Sequence, residues 1–272
     1  MTLRIPQIVR ILTLLLIFTA SLSAHEFWFE ADKFILKPGE VSALRLFSGQ
    51  GLKKEEERPY QASKTNSFVM LSSAGTFDMR TLAEDDRKPV VNFSSDQIGT
   101  YLLSMERGWT YITLDADKFE EYLKEDGIEY ILGERERLGE SKKPGRERYI
   151  RFLKTIVQVG GDRTGVAKTR IGTKLEIVPQ DNPYSKKVGE NFSVQVYFAG
   201  LPLTNRGVFV DNRDGDALTT RKYTTDKDGK ITIKLDHKGV WLVRLVHMQR
   251  CEKNCTEADW ESFWGALSFG VK

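Results

Sequence analysis

The run Gly239-Val240-Trp241-Leu242-Val243-Arg244-Leu245-Val246-His247 decides how the chain is read. Taken as a strand, it sets Trp241, Val243, Leu245 and His247 on one face and Val240, Leu242, Arg244 and Val246 on the other, because side chains alternate with a period of two. Working outward, the same reading gives strands at Leu175 to Val178, Phe192 to Phe198, Val208 to Asp211, Ile231 to Leu235 and Ala266 to Val271. Turn chemistry separates them, with Asp-Gly at Asp214-Gly215 and Asp228-Gly229. Nearer the start, Phe27 and Phe29 alternate with Glu26, Trp28 and Glu30, and Val41 to Phe47, Ser67 to Leu71 and Gly99 to Met105 complete a second strand-rich region. Gly51 to Thr65 is polar and reads as an exposed loop. Two echoes link the regions: Lys37-Pro38-Gly39-Glu40 with Lys187-Val188-Gly189-Glu190, and Gly99-Thr100-Tyr101-Leu102 with Gly239-Val240-Trp241-Leu242. The expected fold is mainly β, with two immunoglobulin-like β-sandwich domains.

Between the two regions the period changes. Asp117 can cap a helix whose Phe119, Tyr122 and Leu123 share a face and which Gly127 stops. Pro144 then opens a second expected helix, with Tyr149, Phe152, Leu153, Ile156 and Val157 at helical spacing. The basic residues of the whole helical insert, Arg135, Arg137, Lys142, Lys143, Arg146, Arg148, Arg151 and Lys154, interleaved by Glu136, Glu140 and Glu147, read as a solvated helix face and not as a nucleic-acid patch. The resulting division is a signal peptide over 1–24, an N-terminal β-sandwich over 25–116, a helical insert over 117–161 and a C-terminal sandwich over 162–272.

The leader is expected from a positive start at Arg4 and Arg10 followed by apolar Ile11 to Leu22, too short a run to span a bilayer. Cleavage after Ala24 makes His25 the first residue; cleavage after Ser23 is the competing site. The protein is therefore expected in the periplasm or secreted, with no membrane span after cleavage. With a net charge of +3, of which the leader holds two, the remainder is near neutral and has no pull toward nucleic acid. The two cysteines, Cys251 and Cys255, suit a local disulfide in an oxidising compartment, with a soft-metal or free-thiol role as the alternative.

No nucleophile elbow, phosphate-binding glycine loop or paired zinc-binding histidine motif occurs, so an enzyme is not the expected class. Of the three histidines, His237 falls in a turn. His25, if freed at the N-terminus, offers its α-amine and Nδ1 to one metal, and His247, at the end of an apolar strand face, is its proposed partner in a nitrogen set suited to Cu(II) or Ni(II). Met248 is a possible accessory donor. Trp260, Phe263 and Trp264 form an aromatic cluster that reads first as packing and second as a sugar platform.

Ala24-His25-Glu26-Phe27-Trp28, Gly145-Arg146-Glu147-Arg148-Tyr149, Leu175-Glu176-Ile177-Val178-Pro179, Asn182-Pro183-Tyr184, Val246-His247-Met248 and Asp259-Trp260-Glu261-Ser262-Phe263-Trp264 together resemble a bacterial secreted family labelled the nickel-uptake substrate-specific domain. The resemblance implies an extracytoplasmic part in nickel or cobalt handling. It implies one bound transition metal ion (Ni, Co or Cu), His25 and His247 as metal ligands, and a metal transporter or another envelope protein as partner. A metal-free envelope-interaction or glycan-binding module is the alternative. Two departures stand out: the label speaks of a transmembrane region, and Cys251 and Cys255 lie outside the family pattern.

Overall fold

A computed structural model describes residues 25–272; the expected leader lies outside the described residues. In the first half the strands are β1 (Glu26–Ala31), β2 (Ile35–Leu36), β3 (Ser42–Gln50), β4 (Lys53–Arg58), β5 (Thr65–Ser72), β6 (Gly75–Asp78), β7 (Val91–Phe93) and β8 (Gly99–Leu114). Helices α1 (Ala116–Glu125) and α2 (Tyr130–Arg137) follow, and then β9 (Gly145–Val159). The second half adds β10 (Leu175–Pro179), β11 (Asn191–Phe198), β12 (Leu201–Pro202), β13 (Gly207–Asp214), β14 (Ala217–Thr224), β15 (Lys230–Lys234), β16 (Gly239–Arg250) and β17 (Trp260–Val271).

The chain is mainly β, as its alternation predicts. Strands from both halves meet in one nine-stranded sheet of order β14-β13-β16-β17-β9-β8-β5-β6, with β2 also on β9. Its seam is the parallel pair β17 and β9. A four-stranded sheet of β1, β3, β4 and β7 covers one face, where Phe29 stacks on Phe68 at 5.7 Å and the Ser268 hydroxyl donates to the Phe29 carbonyl. A second four-stranded sheet, of β10, β11, β12 and β15, covers the other, where Phe192 meets Phe269 at 4.9 Å. The buried Lys154–Glu176 pair, 2.6 Å apart, ties that layer to the central sheet.

The segment expected as a second helix is the fifteen-residue strand β9. All of β9 except Arg146 and Tyr149 is buried, and every residue of β17 is buried. A strand covered on both faces carries no polar alternation, so its run of apolar residues imitates helical spacing. The expected solvated basic face is corrected with it: Arg135, Arg148, Arg151 and Lys154 are buried. The expected loop after Gly51 is also corrected, because it contains β4.

The first expected helix forms as α1, with Phe119, Tyr122 and Leu123 buried. It lies against the start of β9, and a Cβ on Gly145 would come within 2.2 Å of the Phe119 ring, so only glycine permits this approach. The echoed turns have matching geometry. The Lys37 N–H donates to the Glu40 carboxylate at 2.9 Å and the Lys187 N–H to Glu190 at 2.7 Å, with Gly39 and Gly189 both at positive φ.

Candidate functional site: an arginine-lined pocket

The register of β16, β17 and β9 fixes where the sequence-predicted residues point. His247 lies beside Phe263 and Ile150 on one face of the central sheet, while Val246 lies beside Trp264 and Arg151 on the other. His25 belongs to the second face, since its carbonyl accepts a hydrogen bond from Arg151 Nη2 at 3.0 Å. The two histidines expected to meet are thus separated by the sheet. Among the described residues no group of three or more His, Cys, Asp or Glu is placed to hold a metal ion.

His247 sits in an aromatic box, 4.3 Å from Phe198 between ring centroids, with Nδ1 3.2 Å from the Tyr130 hydroxyl. Burial first, then the charges of Arg206 and Lys174, pushes its pKa down to about 4, which keeps it neutral. Met248 points to the opposite face and is buried with Trp260 and Trp264 in the cluster under the helices, so it is no accessory donor to His247. Trp260, Phe263 and Trp264 are all buried, which corrects the sugar-platform alternative. Cys251 and Cys255 are joined in a disulfide. His237 lies exposed between β15 and β16, in the expected turn.

What the first strand does reach is a cavity of about 360 Å³ between the small N-terminal sheet and the β8–β9 side of the central sheet. His25, just before β1, and Phe27 in β1 line it, β4 contributes Glu55, Glu56 and Arg58, and Gln61 and Lys64 follow from the short turn after β4. Arg107 and Thr110 come from β8, and Tyr149 and Arg151 from β9. Three guanidiniums gather on one aromatic ring: Arg151, Arg107 and Arg58 lie 4.2, 5.3 and 5.7 Å from the Phe27 centroid. Arg151 also lies 4.5 Å from the Tyr149 ring.

Arg107 and Arg151 are only 6% and 7% exposed, and neither has a carboxylate partner among the described ion pairs. Arg107 Nη2 donates to Gln61 Oε1 at 2.7 Å and Arg151 Nη2 to the His25 carbonyl; Arg107 Nη1 and Arg151 Nε are buried and have no partner among the described residues. Burial, then the neighbouring Arg151 and Arg58 charges, depresses the Arg107 pKa to about 10. Burial likewise lowers that of Arg151. Buried charges in folded proteins are normally paired. Here two like charges are held together without an anion, a costly arrangement that an incoming oxyanion relieves through charge-assisted, planar hydrogen bonds.

At the mouth, His25 Nδ1 is 3.2 Å from a Glu55 oxygen, and Glu56 pairs with Arg58. Behind Phe27 the excess charge is acidic: Arg244 pairs with Glu26 and, at 2.6 Å, with Asp211, while Asp126 lines the same space and burial raises its pKa to about 7. The space there is about 20 Å³, room for no more than a water. A larger groove of about 530 Å³ near Phe34 and Val240 is lined by no buried side-chain atom lacking a partner. No sequence motif marks the pocket, because Arg58, Arg107 and Arg151 come from three distant strands.

Fold and pocket together define a layered, mainly β domain with one polar cavity built around unpaired guanidiniums. The chain belongs to the family described as a domain of unknown function, DUF4198, whose model matches residues 22–249. No curated protein sequence matches it. Among solved structures it is similar to the three N-terminal domains of the Highly Immunogenic Outer Capsid protein of bacteriophage RB49. That likeness has 11% identity and a TM-score of 0.18, and covers 90% of this chain and 59% of that one. It is also similar to Escherichia coli alpha-2-macroglobulin activated by porcine elastase, with 8% identity, a TM-score of 0.20 and coverage of 92% and 20%. The chain thus spans less than two thirds of either structure's length. No described helix is long and apolar enough to cross a membrane.

Proposed function

We propose that this protein is an extracytoplasmic binding protein that holds a small anionic ligand in the arginine pocket. The observation that carries the reading is that Arg107 and Arg151, which line one cavity, each keep a buried side-chain nitrogen, Nη1 and Nε, with no partner among the described residues. An oxyanion bound by the two guanidiniums supplies the missing charge and, as they turn toward it, acceptors. Charge also favours an anion over a cation, since Arg58, Lys64, Arg107 and Arg151 outnumber Glu55 and Glu56 around the cavity.

Thermal unfolding in phosphate against chloride at matched ionic strength tests this. At a hundredfold excess over Kd, a native-state ligand adds about 2.7 kcal/mol, which for a chain of this size raises Tm by roughly 5–10 °C. Phosphate is expected to raise the Tm of the wild type and to leave Arg151→Met unmoved. Equal behaviour of the two proteins rules the site out.

A second reading, nickel or cobalt handling, keeps one favourable contact, that of His25 with Glu55. If the leader is cut after Ala24, the freed α-amine and Nδ1 of His25 beside the Glu55 carboxylate make a three-donor set for one transition metal ion, without His247. A metal transporter or another envelope protein is the partner on this reading. Elemental analysis of mature protein and of His25→Ala decides it: metal retained by the variant, or absent from the wild type, ends the metal reading.

A further inference from the structure

We infer that the ligand is a small organic molecule carrying two separate oxyanion groups, one bridging Arg107 and Arg151 and the other reaching Lys64 at the rim. This rests on the anion-binding reading above and adds the class of ligand. Two observations support it. The first is net charge: Arg58, Lys64, Arg107 and Arg151 stand against Glu55 and Glu56 around the cavity, an excess of two positive charges and more than one monoanion neutralises. Arg58 is taken by Glu56, whereas Arg107, Arg151 and Lys64 have no carboxylate partner among the described residues.

The second is room. A cavity of about 360 Å³ falls in the range of pockets that take organic ligands. A four-oxygen inorganic ion needs roughly the space of three waters, about 90 Å³. An inorganic ion at the guanidiniums therefore leaves most of the space to solvent. Thr110, Ser48 and Tyr149 line the remainder and suit a polar carbon skeleton.

The charges are placed unequally. Arg107 and Arg151 are buried, whereas Lys64 is exposed. The first oxyanion thus sets affinity. The second adds the smaller increment of an exposed pair, at most about fivefold in Kd. Two sources share this chemistry, dicarboxylates and bisphosphorylated sugars.

Calorimetric titration at matched ionic strength separates them, with succinate against acetate and fructose 1,6-bisphosphate against fructose 6-phosphate. Whichever source is correct, its two-group member is expected to bind three- to fivefold more tightly than its one-group counterpart. Lys64→Gln, an exposed substitution compatible with folding, brings that ratio toward one, and Arg107→Met removes binding of both members. If one-group probes bind as tightly as two-group probes, or if Lys64→Gln leaves the ratio intact, the inference fails while the single-anion reading stands. If no probe binds, both fail.

Discussion

Replacing Arg107 with methionine is expected to stabilise the ligand-free protein, the opposite of what removing a buried ion-pair partner does. Arg107 is 6% exposed, and its pKa is pushed down by some two to three units, to about 10, through burial and the charges of Arg151 and Arg58. At 1.36 kcal/mol per unit, keeping it charged at pH 7 costs the folded state about 3 kcal/mol. Against this, the variant loses the bond to Gln61, worth about 1.5 kcal/mol for a charged donor, and the contact with Phe27, worth about 0.5–1 kcal/mol. The balance favours Arg107→Met by about 1 kcal/mol, a Tm increase of roughly 2–4 °C. Urea denaturation measures it, without ligand and then in saturating phosphate. With phosphate present the order is expected to reverse, because only the wild type gains from binding. A ligand-free variant about 3 kcal/mol less stable than wild type would mean that Arg107 is already satisfied within the fold.

Three further outcomes follow from the packing. Burial raises the Glu147 pKa from 4.5 to about 7, with the hydrogen bonds from Ser262 and Tyr122 opposing it. The folded state therefore holds this proton more tightly than the unfolded one, and the benefit, full below about pH 4.5, is lost as pH rises through 7. Urea midpoints at pH 5.5 and 8.5 should show the wild type losing stability, on the order of 2 kcal/mol from this group, with a shallower loss in Glu147→Gln; identical pH profiles contradict this. Gly145→Ala forces the new methyl group into Phe119 and should cost about 2–3 kcal/mol in chemical denaturation, whereas an unchanged midpoint means α1 does not dock as described. Glu176→Gln leaves the Lys154 ammonium buried without its counter-charge and should cost about 3–5 kcal/mol. Adding Lys154→Met should recover much of that loss, and a purely additive double variant would show that the pair is not coupled.

The sheet content was legible because β1, β3, β11 and β16 each have a marked alternation or a turn signal ahead of them. The Lys-x-Gly-Glu turns were legible to the level of their hydrogen bonds, since a glycine at positive φ and a glutamate reaching back three residues are local features. β9 was not legible. Its Arg148, Arg151 and Lys154 are buried by partners that only the tertiary fold brings: Glu261, the Phe27 ring and Glu176. The pocket is hidden for the same reason: Arg151 falls in a run whose spacing imitates a solvated helix, and Arg58 in a polar run with no strand alternation. The His25–His247 pairing failed on a point no single strand reveals, namely which face of the central sheet each layer covers.

Arg107 and Arg151 stand in the wall of one cavity, with Arg151 Nε–H and Arg107 Nη1 lacking an acceptor among the described residues. The most direct measurement is the NMR signal of the Arg151 side-chain Nε–H during phosphate titration, assigned by its loss in Arg151→Lys. A saturable shift, with slowed exchange of this proton, is expected at the phosphate concentrations that raise Tm. An Arg151 signal that stays fixed while Tm rises would place the anion elsewhere.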